Sequence, residues 1–413
     1  MSLKLKVAAV FAALSVALPA AAETIRIGYI DPLSGPFANV GEQGLRAFQM
    51  IVEDVNARGG VDGQKLELVP LDSKANPQEA LNALKQLTDQ GVRYVLQGNS
   101  SAVAGALSDA VAKHNQRNPE RTILYLNYAA VDPALTNDRC NFWHFRFDAD
   151  ADMKMQALTN YMATQKNIKK VYLINQDYAF GQAVSKAARE MLGKKRPDVQ
   201  IVGDDLHPLG KVKDFSPYIA KITASGADTV VTGNWGADLA LLVKAGKDAG
   251  LKVDYYTYYA GISGGATAIG EAGDGHVKQV SHWHSNVGDT KSGAIVLQYR
   301  KRYPDAKDDF VWLAARNAIE MLVQAITQAK STDPLKVALA LEGMKFQTFT
   351  GEVVMRADNH QLLQPMYVST FTRAGTSGVK FDVERTGMGF RSEGRIDGKS
   401  TALPTTCKMQ RPQ

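Results

Sequence analysis

An α/β chain built from two doubly wound halves is what the sequence predicts, and three observations carry that reading. Short apolar runs with strand patterning alternate with longer amphipathic stretches. The alternation breaks near Cys140 and restarts after Asp152. One apolar run with its turn is then echoed: Tyr94-Val95-Leu96-Gln97-Gly98-Asn99-Ser100 is matched by Thr229-Val230-Val231-Thr232-Gly233-Asn234-Trp235. Strands alternating with helices predict a parallel sheet covered on both faces. A repeated unit predicts repeated architecture. Both runs end in Gly-Asn-x where a helix begins, so facing corners would line a cleft at the carboxyl ends of the strands.

The chain opens Met-Ser-Leu-Lys-Leu-Lys, runs apolar from Val7 to Leu18 and continues Pro19-Ala20-Ala21-Ala22. Lysines, a short apolar core and small residues at the exit describe a secretory signal peptide, residues 1–22, removed after Ala22. The apolar run is short for a membrane span, and no other stretch reaches the roughly 18 apolar residues one needs. The expectation is an exported chain, localised to the periplasm, with no membrane span after cleavage.

Thr24 to Ile30 alternates as a strand. Asp31 to Pro36 reads as a loop, and Gly44 to Arg58 as an amphipathic helix stopped by Gly59-Gly60. Lys65 to Leu71 is a strand. Pro77 to Gly91 carries proline at its start and glycine at its end, the asymmetry of a helix. The strand Tyr94 to Leu96, the helix Ala102 to His114 and the strand Thr122 to Leu126 follow, and Phe142 to Phe147 is strand-like.

The second half opens at the acidic start Asp148 to Asp152 with a helix over Met153 to Gln165. Strands are predicted at Lys170 to Asn175, Gln200 to Leu206, Asp228 to Thr232, Val253 to Tyr258 and His276 to Trp283. Helices are predicted at Gly181 to Leu192, Asp214 to Ala224 and Gly236 to Gly250. Ile295 to Tyr303 and Phe310 to Lys330 are helical, and Asp333-Pro334 opens one more. From Phe346 the pattern turns β-like, at Phe349 to Met355 and Pro365 to Phe371. Gly375 to Gln413 is polar and glycine-rich.

The formal net charge is +6, falling to +4 without Lys4 and Lys6, and the charges are interspersed. No basic block supports nucleic-acid binding. No phosphate-binding G-x-x-x-x-G-K-[ST] or G-x-G-x-x-G after a strand is present. The chain has two cysteines, Cys140 and Cys407; in an oxidising compartment an even pair predicts a disulfide. His282-Trp283-His284 puts two imidazoles on one strand face, which is short of a metal site without further ligands, so hinge or surface histidines are the favoured reading. Gly261-Ile262-Ser263-Gly264-Gly265 matches G-x-S-x-G, but a nucleophile elbow needs a helix directly after the serine, and Gly264-Gly265-Ala266 starts one poorly. No enzyme activity, metal or cofactor is expected.

The Gly98 to Ser101 turn stands out. It offers two hydroxyls, flexible backbone and the unpaired N–H groups of a helix start, a setting for an anion such as a carboxylate. A plain serine helix cap is the competing explanation.

Several segments in order carry a resemblance to a known family. They are Ile25 to Gly28 running into Pro32-Leu33-Ser34-Gly35-Pro36 and Gly41 to Gly44; Asn56-Ala57-Arg58-Gly59-Gly60-Val61-Asp62-Gly63; Gly91 to Val95 before Ser100-Ser101; Ala129 to Thr136; Asp177 to Gly181; and Asp214-Phe215. From Thr24 to Phe371 the chain resembles the periplasmic solute-binding proteins of the branched-chain amino-acid (leucine/isoleucine/valine-binding) type. The resemblance implies two α/β lobes joined by a three-crossing hinge, with residues 23–147 and 284–345 in lobe 1, residues 148–283 and 346–371 in lobe 2, and 372–413 as an extension. It further implies a small-molecule ligand trapped by lobe closure and delivered to membrane permease subunits driven by a cytoplasmic ATPase.

In that family the Ser-Ser turn and an Ala-Ala-Thr stretch hold ligand carboxylate and ammonium. Here they are Ser100-Ser101 and Ala129-Ala130-Val131, valine removing one hydroxyl. The family's lobe-2 tyrosine falls on Phe180, with Tyr178 two residues earlier, its next aromatic on Trp235, and its Pro-Glu-Gly turn on Tyr258-Tyr259-Ala260-Gly261, which has no carboxylate. An ammonium buried without such a partner is costly. Phe37 is expected at the cleft entrance. An anion clamp among aromatic walls suits a hydrophobic or aromatic acid, with branched-chain and other amino acids next. The same lobes would equally serve a sensor or chemoreceptor, because closure is the signal in both cases; a secreted serine hydrolase is the remote alternative.

Overall fold

The computed structural model describes residues 24–288 and 290–412. The expected signal peptide, residues 1–22, lies outside the described residues. Lobe 1 begins with β1 (Ile25–Asp31), α1 (Ala38–Ala57), β2 (Leu66–Asp72), α2 (Pro77–Asp89), β3 (Tyr94–Gln97), α3 (Ser101–Arg117), β4 (Leu124–Asn127) and β5 (His144–Arg146). These five strands form one parallel sheet in the order β2-β1-β3-β4-β5. Helix α2 starts where the sequence marks it: Asn76 Oδ1 accepts from the Gln78 and Glu79 N–H groups ahead of Pro77.

Lobe 2 follows with α4 (Ala151–Thr164), β6 (Lys170–Gln176), α5 (Ala179–Lys195), β7 (Gln200–His207), α6 (Ser216–Ser225), β8 (Thr229–Thr232), α7 (Gly236–Asp248), β9 (Asp254–Thr257), the short α8 (Gly265–Ile269) and β10 (Val277–Ser281). The chain then forms α9 (Thr290–Arg302), α10 (Leu313–Ala329), α11 (Pro334–Leu341), β11 (Lys345–Thr348), β12 (Gly351–Met355), β13 (Leu362–Leu363), β14 (Met366–Arg373) and β15 (Met388–Ile396). The second sheet runs β15-β14-β10-β9-β8-β6-β7, with β14 and β15 antiparallel to their neighbours at one edge.

Two regions differ from the sequence expectation. Lys345 to Leu363 does not enter the second sheet. It makes a three-stranded antiparallel sheet of its own, tied to β5 where the Arg146 N–H donates to the His360 carbonyl at 2.9 Å. The chain joins the second sheet at Met366. The segment after Phe371 is likewise more than a polar tail, since it supplies β15. Its outward-facing charged residues hide a strand that is half solvent-exposed at a sheet edge.

The first strand-to-helix corner of each lobe requires glycine. A Cβ on Gly41 would lie 1.8 Å from the Pro32 carbonyl oxygen, and one on Gly181 would lie 1.8 Å from that of Gln176. Those two corners bring α1 and α5 close over the strand ends, where the cleft opens. Three crossings join the lobes, near Asp148, His282 and Gln364. Side chains bind them together: Gln364 Nε2 donates to the Phe147 carbonyl at 2.7 Å, Gln361 Nε2 donates to the Asp148 carbonyl at 2.8 Å, and His282 Nδ1 donates to Asp148 Oδ1 at 3.1 Å. Cys140 and Cys407 form a disulfide, which ties the end of the chain to lobe 1.

Candidate functional site

Between the lobes lies a narrow cavity. Lobe 1 lines it with Gly98, Asn99, Ser100 and Ser101, with Ala129, Ala130 and Val131, and with Trp312. Lobe 2 lines it with Tyr178, Phe180, Trp235, Tyr259 and Ile262. The first Gly-Asn-x turn thus faces Trp235, the last residue of the second, across one space.

What holds the lobe-1 turn open is Asp31 at the end of β1. One carboxylate oxygen accepts the Asn99 N–H at 2.7 Å and the Gly98 N–H at 3.4 Å; the other accepts the Tyr128 hydroxyl at 2.7 Å. Asp31 is fully buried. Burial pushes its carboxyl up to about 7, against the pull of these hydrogen bonds. Lobe 2 repeats the device with a neutral group: Asn175 Oδ1 accepts the Gly233 N–H at 2.6 Å.

Ser100 is held at φ +80°, a region side-chain-bearing residues rarely adopt. It stands at the start of α3, yet its hydroxyl caps nothing. Its Oγ is buried and has no hydrogen-bond partner. A buried polar atom left unpaired costs free energy, and backbone strain of this kind gathers at functional sites. Ser101 Oγ accepts the Asp132 N–H at 3.2 Å and keeps its own proton for another acceptor. The α3 N-terminus adds a favourable dipole for negative charge. The Nε1–H of Trp312, also buried, likewise has no partner.

The lobe-2 wall is aromatic. Trp235 Nε1 donates to the Tyr178 hydroxyl at 2.8 Å. Phe180 packs edge-on against Tyr178, Tyr258 and Tyr259, with ring centres 5.7–6.0 Å apart. Among the described residues no Asp or Glu side chain lines this cavity.

Eight of the ten ligand-binding residues expected from sequence line the cavity: Ser100, Ser101, Ala129, Ala130, Val131, Phe180, Trp235 and Tyr259. Two lie elsewhere. Ala260 is fully buried in the lobe-2 core beside Ala266 and Phe390, because the β9–α8 turn directs it away from the cleft. Phe37, from lobe 1, stands at the cleft rim, the entrance where the sequence reading put it, its ring 4.1 Å from that of Trp235. Trp312 and Ile262 were not read from sequence as site residues, and Tyr178 only as the neighbour of Phe180. Trp312 and Ile262 stand far along the chain from the turns, and only Tyr178, two residues from Phe180, carried a local signal.

The side chains weighed for chemistry are otherwise engaged. Ser263 joins the lobes: Asn39 Nδ2 donates to its carbonyl at 2.9 Å, and its N–H donates to Gln43 Oε1 at 3.2 Å. Its hydroxyl meets Asn39, not a base. His282 bridges Asp148 and the Ala314 N–H, and His284 Nε2 meets Ser392 Oγ at 2.9 Å. Among the described residues no group of three or more His, Cys, Asp or Glu is placed to hold a metal, and no helix is long and apolar enough to cross a membrane.

A family model described as periplasmic binding protein matches residues 24–376. The chain belongs to the periplasmic binding protein family, in its branched-chain amino-acid transporter group. It is 32% identical to "Leu/Ile/Val-binding protein homolog 4" of Brucella abortus (strain 2308), over the full length of both chains. It is 25% identical to the "Leu/Ile/Val-binding protein" of Escherichia coli (strain K12), over 80% of this chain and 86% of that one. Among solved structures, the Brucella ovis leucine-, isoleucine-, valine-, threonine- and alanine-binding protein in its closed conformation superposes with a TM-score of 0.82 at 30% identity, covering 95% of this chain and all of that one. A Rhodopseudomonas palustris solute-binding protein in complex with benzoate shares the fold at TM-score 0.77 and 19% identity, over 93% of this chain and 99% of that one. The Rhodopseudomonas palustris protein is the solute-binding protein of an ABC transporter.

Proposed function

We propose that this periplasmic binding protein captures a hydrophobic or aromatic monocarboxylate between its lobes and presents it to the permease subunits of an ABC transporter. The observation that carries this reading is the buried, unpartnered Ser100 hydroxyl at the α3 N-terminus, facing an aromatic wall with no carboxylate. An anion satisfies Ser100 and takes the helix dipole. The aromatic faces of Phe180, Trp235 and Tyr259 bury the rest of the ligand. An α-ammonium group would find no acidic partner in the cavity, so acids without one bind better than α-amino acids. The contacts Phe37–Trp235 and Asn39–Ser263 span the lobes and form only on closure, so ligand and closure stabilise each other.

Thermal unfolding of the mature protein with benzoate, cinnamate and leucine tests this. Stabilisation by the two aromatic acids and a smaller response to leucine are expected. A shift with leucine alone overturns the aromatic-acid reading. Mass spectrometry of small molecules that copurify with the protein provides the independent check.

A further inference from the structure

Behind the ligand cavity lies a second, somewhat larger inner chamber, against the hinge. Tyr259, Ile262 and Trp312 line both spaces, so the two abut across these three side chains. The far wall of the chamber comes in part from Asp382, Val383 and Phe390. Those residues lie beyond residue 376, where the family match ends.

The acids around the chamber are already paired with cations or backbone donors. Asp148 accepts from Lys154, His282 and the Ala149 N–H. Asp309 accepts two bonds from Arg300 and the Glu384 N–H. Asp382 accepts from Arg300 and the Gly387 N–H. What remains unused is donors. Lys154 Nζ has three protons and two partners, Asp148 Oδ2 at 2.6 Å and the Tyr259 oxygen at 3.5 Å. Tyr259 accepts there and keeps its own proton. Gln279 Oε1 is taken by the Gly261 N–H at 2.6 Å, leaving its Nε2 donors. Trp312 Nε1 is buried and unpartnered on the shared wall. A chamber with spare donors and occupied acceptors selects an oxygen acceptor.

We propose that the inner chamber is a second subsite, taking the oxygen-bearing far end of an elongated aromatic acid whose carboxylate sits at Ser100 and Ser101. This rests on the cleft reading above and names its substrate class: a rod-shaped aryl carboxylate with a hydroxyl or carbonyl oxygen opposite the carboxylate. The ring passes between Tyr259 and Trp312, and its oxygen accepts from Tyr259, Lys154 or Gln279.

Titration calorimetry on the mature protein with benzoate, cinnamate and 4-hydroxycinnamate tests the second subsite separately from the first. In the wild-type protein 4-hydroxycinnamate is expected to bind at least about tenfold tighter than cinnamate, the scale of one well-placed hydrogen bond. Gln279→Glu keeps the acceptor for Gly261 and removes the donors; it should cut that preference to about threefold or less while benzoate affinity stays within about twofold. Tyr259→Phe keeps the ring and removes the proton, and should also reduce the preference. Equal affinities for the two cinnamates in the wild-type protein, or a preference untouched by both variants, overturn the second subsite. If benzoate still binds and does so through Ser100, the cleft reading survives that result. Failure of all three acids to bind overturns both.

Discussion

Asp31 accepts the Asn99 N–H at 2.7 Å, anchoring the turn directly before Ser100. Because Asp31 is buried, its carboxyl sits near 7 in the fold against an ordinary value near 3.8. The folded chain therefore holds the proton more tightly than the unfolded chain. The stability linked to that proton is fully present below about pH 3.8 and is lost as pH rises through about 7. Asp31→Asn, a permanently neutral isostere, should flatten this part of the stability–pH curve, measured by urea unfolding between pH 4 and 8. Asp31→Ala removes the acceptor of two buried backbone donors and of the Tyr128 hydroxyl, which keeps Tyr29 and Asn99 as partners, and should cost about 2–4 kcal/mol. An unchanged pH profile in Asp31→Asn would show that Asp31 does not titrate in this range.

Ser100 makes the complementary prediction. Its hydroxyl has no protein partner, so Ser100→Ala should change unfolding free energy by less than about 1 kcal/mol. Affinity for the carboxylate ligand should fall about tenfold or more, as a charge-assisted hydrogen bond is lost. Calorimetry and chemical unfolding on the same variant separate the two effects. A large stability loss with unaltered binding would return Ser100 to a structural role.

The doubly wound architecture, the repeated turns and most of the cavity lining were legible in sequence because they depend on local patterns. Gly98-Asn99-Ser100 and Gly233-Asn234-Trp235 each place a strand end, a turn and a helix start within a few residues. Trp312 was not legible, because its place at the cleft depends on α10 packing against lobe 1 far from either turn. Ala260 shows the opposite limit: matching a family position gives the turn but not the direction of the side chain. β15 was hidden by composition, since an edge strand exposed along half its length carries Arg391, Glu393 and Arg395 where a buried strand would carry apolar residues.

Phe37 stands 4.1 Å from Trp235 across the cleft rim. A Cβ on Gly236, at φ +57°, would lie 2.9 Å from the Phe37 ring, so the ring is seated against bare backbone. Phe37→Ala should leave each lobe folded and weaken ligand-bound closure by about 0.5–1.5 kcal/mol, the scale of an aromatic pair. The check is ligand dissociation by stopped flow, expected to quicken several-fold, together with small-angle scattering of the ligand-bound protein. Gly236→Ala should act in the same direction through the crowded ring. Dissociation rates equal to the wild type in both variants would remove this pair from the closing contacts.

Lys154 and Asp148 make a buried ion pair at 2.6 Å, both side chains almost wholly excluded from solvent. Burial alone pushes the Asp148 carboxyl up, but the Lys154 charge and the hydrogen bonds from His282 and Lys154 outweigh it and hold the group at about 2. Its folded value is thus depressed, and the stability it contributes is present above about pH 3.8 and lost as pH falls through about 2. Lys154→Met strands the carboxylate and should cost about 3–5 kcal/mol at neutral pH. That loss should shrink as pH falls, because a protonated Asp148 no longer needs the cation. The double variant Lys154→Met with Asp148→Asn should recover much of the loss, since no buried charge then lacks a partner. Unfolding measured from pH 3 to 7 on the three proteins decides it: a loss in Lys154→Met that is independent of pH and not relieved by Asp148→Asn would mean that packing of the lysine stem, not the charge pair, holds this crossing of the hinge.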